Sequence, residues 1–155
     1  MSDRLDRAEL AALRTCTCFH LRKASRVVTQ VFEEKMQSTG LRVTQLNLLA
    51  AISILGPSTI NTLADKLAID RTTLTRNLKL LEQQGSIDIT AGRDRRERIA
   101  SITPEGERAL KAAFPLWQDA QSQVVEAIGQ DRWCELMTSL SEAVDRIHAI
   151  DEPKN

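Results

Sequence analysis

The sequence predicts a mainly α-helical protein with a small β-hairpin wing, a winged helix-turn-helix with long helices at both ends of the chain. Two short helical patterns lie within residues 61–85, two alternating runs follow around a basic turn, and amphipathic patterns extend on both sides. The 155 residues are enough for one compact unit with its own core. We therefore expect a single domain over residues 1–155.

The N-terminal third is predicted to contain two helices. Residues 1–9 are polar and are expected to fray, whereas apolar residues recur every three or four positions from Leu10 to Met36 and predict one long helix. Thr44 is expected to cap a second helix that stops at the Gly56–Pro57 pair. The residues expected to face inward from it are Leu46, Leu48, Leu49, Ile52 and Leu55.

The next two segments predict a helix-turn-helix, whose second helix is the one that reads DNA. Asn61 is expected to cap a short helix that runs to Ala68, and Asp70 is expected to cap a longer helix that stops at Gly85. The residues expected to face inward are Leu63, Ala64, Leu67, Leu74, Leu78 and Leu81.

The outward side of the second helix carries cations, hydroxyls and an amide, and no acid. At about 100° per residue, it displays Thr72, Thr75, Arg76, Lys79 and Gln83, with Arg71 at its start. Such a face fits a DNA major groove, where Arg and Lys reach phosphates or guanine edges and Thr bonds phosphates or bases. An ordinary solvated helix face is the alternative interpretation.

A β-hairpin wing is predicted directly after this helix. The runs 87–90 and 99–103 alternate apolar and polar residues as half-buried strands do, and the turn between them is basic and contains Gly92. Residues 43–103, which we call the reading unit, are therefore expected to form the DNA-binding part.

Two more helices are predicted in the last third of the chain. Pro104 and the acids after it mark a helix start, and the apolar pattern runs on to Gly129, with a kink or a restart expected at Pro115. A last helix is expected from about Asp131 to Ile150. Its apolar seam is formed by Trp133, Met137, Leu140, Val144 and Ile147, with Leu136 beside it.

The terminal helices predict a homodimer. They present more apolar surface than the reading unit could cover, and an exposed apolar stripe of that size marks a protein interface. One winged helix also reads only one half-site, whereas two-fold dimers read palindromes. We expect residues 10–37 and 104–150 to be the dimerisation helices. A monomer folded onto its own core is the alternative.

Charge is distributed unevenly along a chain that is neutral as a whole, with 21 cations and 21 acids. Residues 71–98 contain seven cations and four acids, a net of +3, whereas residues 104–155 contain five cations and ten acids, a net of −5. A basic patch on an acidic body favours oriented binding of double-stranded DNA.

Other classes of function find little support in the sequence. There is no long apolar run, no signal peptide and no disulfide framework among Cys16, Cys18 and Cys134, so we expect a cytoplasmic protein that does not enter the membrane. Motifs for a nucleophile elbow, a phosphate loop or a cofactor are absent, so we expect no enzyme activity and no cofactor. On one continuous helix, Cys16 and His20 would share a face that Cys18 avoids, which argues against a metal site.

Three motifs resemble the MarR family of bacterial transcriptional regulators, and the similarity extends over roughly residues 10–150. They are Asp70-Arg71-Thr72-Thr73-Leu74-Thr75-Arg76, Asp94-Arg95-Arg96 and Ile102-Thr103-Pro104-Glu105-Gly106. In that family the Arg of a wing Asp-x-Arg enters the minor groove and the Asp orients it, which implies these roles for Arg96 and Asp94. A narrow minor groove attracts an inserted Arg because it concentrates negative potential.

The resemblance also implies regulation by a ligand or an oxidant. A small, often aromatic or acidic, effector would bind between the dimer helices and the reading unit and release DNA, and His20, Arg22 and Arg26 are candidates to meet an anion. Cys18-Phe19 is similar to the cysteine region of the hydroperoxide-sensing branch, with Cys134 as a candidate partner thiol. That branch activates its cysteine with tyrosines, and this chain has none. Small hydrophobes on a packed helix are the alternative interpretation of these cysteines.

Overall fold

The computed structural model describes residues 4–94 and 96–151 and shows a mainly helical chain with a small antiparallel sheet. Arg95 of the predicted wing motif lies outside the described residues, and so do residues 1–3 of the predicted frayed terminus. The helices are α1 Arg7–Ala12, α2 Thr17–Met36, α3 Val43–Leu55, α4 Ile60–Leu67, α5 Arg71–Gln83, α6 Pro104–Ile128 and α7 Gln130–Asp151.

The predicted single helix from Leu10 to Met36 is wrong, because the chain breaks between α1 and α2. Leu13–Thr15 form one 3₁₀ turn, and Cys16 has extended backbone at φ −62° and ψ 113°. The ring Nε2 of His20 on α2 lies 2.7 Å from the carbonyl oxygen of Arg14, within hydrogen-bond distance of this turn. The start at Arg7 is also earlier than predicted, because Asp6 and Glu9 form a capping box.

Helix caps account for the remaining boundaries. Asp70 caps α5 as predicted, since its Oδ1 accepts the backbone N–H of Thr73 at 2.9 Å, and Gly85 has the left-handed φ of +71° expected after a helix end. The predicted caps Thr44 and Asn61 are wrong. Arg42 occupies the N-cap of α3, and Thr59 caps α4 by accepting the N–H of Thr62.

The wing is a three-stranded antiparallel sheet in the order β1-β3-β2. The two long strands, β2 Ile87–Ala91 and β3 Arg98–Ile102, confirm the predicted hairpin, with Ile87 opposite Ile102. The short strand β1, Ser58–Thr59, was not predicted, and it pairs with β3 opposite Ala100 and Ile99. This pairing ties the start of the helix-turn-helix to the wing.

The helix α6 runs without a restart through Pro115. Proline has no N–H to donate to the carbonyl oxygen of Lys111, four residues earlier. Both residues are exposed, so water can donate a hydrogen bond to that oxygen instead. None of the described helices is both long and apolar enough to cross a lipid bilayer.

The core lies inside the reading unit and extends to the end of α2 and along α6 as far as Ala120. Its largest fully buried side chains are Met36, Leu49, Ile52, Leu63, Leu74, Leu78, Leu81 and Ile87. Leu55 was predicted to face inward but is 43% exposed at the last position of α3.

Candidate nucleic-acid interface

The helix α5 is fixed in the reading unit by its apolar stripe. Leu74, Leu78 and Leu81 are fully buried, as their spacing predicted. Burying a leucine stabilises the fold by about 1.5–3 kcal/mol relative to leaving it in water, so this face is firmly oriented. The opposite face of α5 is therefore held toward solvent.

The five residues predicted to meet the major groove lie together on that outward face. Arg71, Thr72, Thr75, Arg76 and Lys79 line one shallow depression of about 520 Å³. The hydroxyl of Thr75 donates to the carbonyl oxygen of Arg71 at 2.7 Å, which sets its rotamer. Three cations and two hydroxyls on one exposed surface can contact phosphates and base edges together.

Asp70 carries the ionised carboxylate at the start of this face. Hydrogen bonds from the hydroxyl and then the backbone N–H of Thr73 hold the pKa of Asp70 below its ordinary value, and Arg76 lowers it further. The carboxylate therefore stays charged at neutral pH, where it caps α5 and sits close to Arg76.

The wing motif is shaped by hydrogen bonds within its turn. The carboxylate of Asp94 accepts the backbone N–H of Arg96 at 3.0 Å, and the carbonyl oxygen of Asp94 accepts the N–H of Glu97 at 2.9 Å. Asp94 thus contacts the backbone of Arg96, and the side chain of Arg96 is exposed. Gly92 closes the turn by donating to the carbonyl oxygen of Glu97.

The wing and α5 meet at one narrow cleft of about 40 Å³. Arg71 and Arg96 both border it, so the predicted major-groove and minor-groove arginines lie at the same cleft. The other residues that line it are Thr59, Ile60, Asn61, Glu97 and Arg98. Sequence reasoning did not include Arg98 among the site residues, although its place in the basic turn was a usable signal.

The predicted effector residues are only partly brought together. Arg22 and Arg26 line a shallow depression on α2 with Leu21 and Ser25. His20 lies outside it and faces the carbonyl oxygen of Arg14. A wider cleft of about 590 Å³ separates the helix-turn-helix from α7, and sequence reasoning did not anticipate it. It includes Asn61, Asp65, Arg71 and His148 in its lining.

The three cysteines are free and exposed. Cys16 precedes α2, whereas Cys18 lies in its first turn, so the continuous helix assumed for the metal argument is not present. Within residues 4–94 and 96–151 no three His, Cys, Asp or Glu side chains are grouped closely enough to hold a metal ion. The amide nitrogen of Gln130 donates to the sulfur of Cys134 at 3.6 Å.

The chain is similar to known transcriptional regulators in sequence and in fold. The model of the MarR family matches residues 39–97. An uncharacterized HTH-type transcriptional regulator of Bacillus subtilis (strain 168), YwoH, is 27% identical over 88 residues, which are 57% of this chain. The match covers 64% of YwoH, less than two thirds of its length.

Two solved structures with DNA are similar in fold. The M. tuberculosis transcriptional regulator MosR in complex with DNA is 32% identical with a TM-score of 0.80, and the alignment covers 88% of this chain and 98% of MosR. A mutant of E. coli MarR in complex with operator DNA is 19% identical with a TM-score of 0.73, over 79% of this chain and 89% of that one. At that identity the second likeness shows the fold alone.

Proposed function

The chain belongs to the MarR family of DNA-binding transcriptional regulators, and on that premise we propose that it is a homodimeric repressor. It binds a pseudo-palindromic operator through α5 and the wing, and a small-molecule effector releases it. The observation that carries this proposal is the common surface formed by α5 and the wing, where Arg71 and Arg96 border one cleft.

The roles of the individual residues follow from where they lie. Arg71, Thr72, Thr75, Arg76 and Lys79 form the exposed face of a helix of 13 residues, which is long enough to lie along a major groove. Arg96 lies beside one end of that face on a separate element, so it can enter the adjacent minor groove while Asp94 fixes the turn.

Dimerisation is supported by the apolar surface that a single chain leaves exposed. Leu21 and Val28 on α2 are 46% and 36% exposed, and Val144 and Ile147 on α7 are 49% and 54% exposed. Scattered exposed apolar residues are ordinary, but these recur at helical spacing on long helices outside the reading unit. A second copy would cover them and place two reading units on one duplex.

Effector binding is supported by the cationic pair on α2. Arg22 and Arg26 are one helical turn apart and share a shallow depression, which suits a small carboxylate. The proposed effector is therefore an aromatic or other small acid that meets these arginines at the boundary between α2 and a partner. Replacing both arginines with glutamine should abolish release from DNA by such acids while leaving operator affinity unchanged.

Selection of bound sequences from a pool of random duplexes tests the proposal directly. We expect an enriched inverted repeat whose two halves lie about one helical turn apart, because a two-fold dimer reads two half-sites. Enrichment of a single half-site without a repeat would contradict the dimeric mode of binding. Placing the selected duplex upstream of a reporter then separates repression from activation.

Oxidant sensing through Cys18 is the second candidate, and the exposure of Cys18 and Cys134 favours it because thiol oxidation requires access. We expect, however, that micromolar peroxide has no specific effect on DNA binding, because the chain has no tyrosine to activate the thiol. Release by stoichiometric peroxide that a Cys18→Ser variant abolishes would contradict this expectation. A covalent dimer on a non-reducing gel, reversed by dithiothreitol and absent in Cys134→Ser, would identify the partner thiol.

A further inference from the structure

The end of α5 and the start of α6 meet at a small junction formed by Gly85, Ser86, Thr103 and Gly106. The hydroxyl of Thr103 donates to the carbonyl oxygen of Gly85 at 2.6 Å. The hydroxyl oxygen of Thr103 in turn accepts the backbone N–H of Gly106 at 3.1 Å. The backbone N–H of Thr103 donates to the carbonyl oxygen of Ser86 at 3.1 Å. The hydroxyl of Thr103 is thus hydrogen-bonded both to the loop that follows α5 and to the first turn of α6.

The junction is buried and closely packed. Ser86 and Thr103 are 5% and 8% exposed, so water has little access to replace their bonds. A Cβ added to Gly106 would overlap the backbone carbonyl of Ser86, which shows that α6 touches this loop with no room for a side chain. A buried polar group that loses its partner is costly, so the two helices have one strongly preferred arrangement here.

The angle set at this junction is magnified along α5. A helix of 13 residues is about 20 Å long at a rise of about 1.5 Å per residue, and Arg71 lies at the end away from the junction. A tilt of about 10° would move that end by about 3 Å, close to the rise of about 3.4 Å per base pair in B-DNA. Small changes in the angle therefore correspond to a change of one base pair in the position of a half-site.

We propose that Thr103 is a positioning residue that fixes the angle between α5 and α6 and thereby sets the half-site spacing that the protein accepts. This inference rests on the proposed function, a dimer that reads two half-sites through α5. Without the hydroxyl, the bonds to Gly85 and Gly106 are both lost. The buried leucine stripe alone then holds α5, and the angle between α5 and α6 varies over a wider range. The variant then tolerates operators whose half-sites are too close together or too far apart.

Thr103→Val tests this proposal because it removes the hydroxyl and keeps the shape of the side chain. Dissociation constants are measured by fluorescence anisotropy on the duplex selected with the wild-type protein and on derivatives with one base pair added or removed between the half-sites. The ratio of misspaced to selected dissociation constants should fall by about fivefold in Thr103→Val, an effect of the size that one neutral hydrogen bond has. Thr103→Ser, which keeps the hydroxyl, should restore the wild-type ratio.

Thr39→Val is the matched control. The hydroxyl of Thr39 donates to the carbonyl oxygen of Met36 at 2.7 Å and accepts the N–H of Leu41 at 3.1 Å, the same pattern of bonds as at Thr103. These bonds lie within one loop, and neither of them has a partner on α5 or α6. The spacing ratio of Thr39→Val should therefore equal that of the wild type.

The outcomes separate this inference from the proposed function. If Thr103→Val weakens binding to all three duplexes by the same factor, or if Thr103→Ser fails to restore the ratio, Thr103 has only a structural role and the inference is wrong. A wild-type protein that shows no preference among the three duplexes would overturn the dimeric mode of reading as well. Should circular dichroism show Thr103→Val unfolded, Thr103→Cys replaces it, since a thiol is a much weaker donor than a hydroxyl and adds no charge beside the carbonyl oxygen of Gly85.

Discussion

Arg96 and Arg71 belong to different elements, yet they border the same cleft at one end of the outward face of α5. Cations that border one cleft repel each other, and an anion bound between or beside them relieves that repulsion. A phosphate backbone is the anion that such an arrangement favours, because it presents negative charge continuously along a groove. At the scale of single residues, the positions of these two arginines therefore favour DNA binding.

Arg96→Ala should weaken operator binding by about 1–3 kcal/mol without unfolding the protein, the usual cost of one lost contact to DNA. Arg96 is exposed in a turn that Asp94 holds through the backbone, so the fold does not depend on its guanidinium. Titration at fixed salt measures the effect, and Arg93→Ala, an exposed cation of the same turn outside the motif, is the control. Unchanged affinity in Arg96→Ala would mean that the wing is wrongly assigned.

On the scale of elements, both ends of α5 could be predicted from the sequence because each is determined by nearby residues. Asp70 bonds Thr73, and Gly85 needs only its own left-handed backbone, so both boundaries were predicted correctly. The start of α3 was missed because its partner is distant in sequence: the carboxylate of Glu33 on α2 accepts the N–H of Val43 at 2.9 Å.

The other differences have the same physical origin. The strand β1 has two residues, too few to show an alternating pattern of apolar and polar residues. It forms because β3, which lies much later in the chain, pairs with it. The break before α2 depends on a contact between His20 and the carbonyl oxygen of Arg14 that no apolar spacing reveals. For the interface, the five residues of α5 were predictable from helical periodicity, whereas the position of Arg71 at one cleft with the wing required the tertiary fold.

The cap of α5 should make stability depend on acid. Because hydrogen bonds lower the pKa of Asp70 in the folded state, its carboxylate stabilises the protein above the pKa of the unfolded state. That contribution is lost as the pH falls through the lower, folded pKa. Urea unfolding of wild type and Asp70→Ala at one fixed chain concentration should therefore differ at pH 7 and converge as the pH falls below about 4.

The control for this experiment is Asp88→Ala, which removes an exposed carboxylate of β2. Its difference from wild type should be smaller at pH 7 than that of Asp70→Ala. A difference between wild type and Asp70→Ala that stays constant across the whole pH range would show that the carboxylate does not act as a charged cap.

On the scale of the whole molecule, a neutral chain presents one basic surface and long helices with uncovered apolar residues. The basic segment surrounds α5 and the wing, and the acidic segment forms α6 and α7. Charge separated in this way orients the protein on DNA before any specific contact forms. The exposed apolar residues of α2 and α7 lie outside α5 and the wing, so the proposed subunit contact does not compete with DNA for the same surface.

Operator affinity should fall steeply as salt rises, because each phosphate that the protein neutralises releases bound counterions. A dimer that neutralises about six phosphates should give a slope of about −5 in a plot of log affinity against log salt. Lys79→Ala should make the slope less steep by about one for each subunit. A flat plot between low and physiological salt would contradict direct phosphate contact and favour a purely structural helical scaffold.

Leu140→Asp should disrupt the proposed dimer, because an unpaired carboxylate in a buried apolar seam costs several kcal/mol. Leu140 is half-buried in the single chain and lies on the predicted seam of α7. Sedimentation should show monomer or unfolded chain, with DNA binding lost. Thr138→Asp adds the same charge on the polar side of α7 and should leave the dimer intact. A stable Leu140→Asp dimer would move the interface to another surface.

The junction at Thr103 also bears on the order in which the chain folds. Thr103 and Gly85 are only 18 residues apart in sequence, so the hairpin that joins them closes a short loop at low entropic cost. Contacts between residues close in sequence form faster than those between distant ones. We therefore expect the wing and the exit of α5 to form early in folding, so that each subunit brings a finished reading surface to its first encounter with another copy.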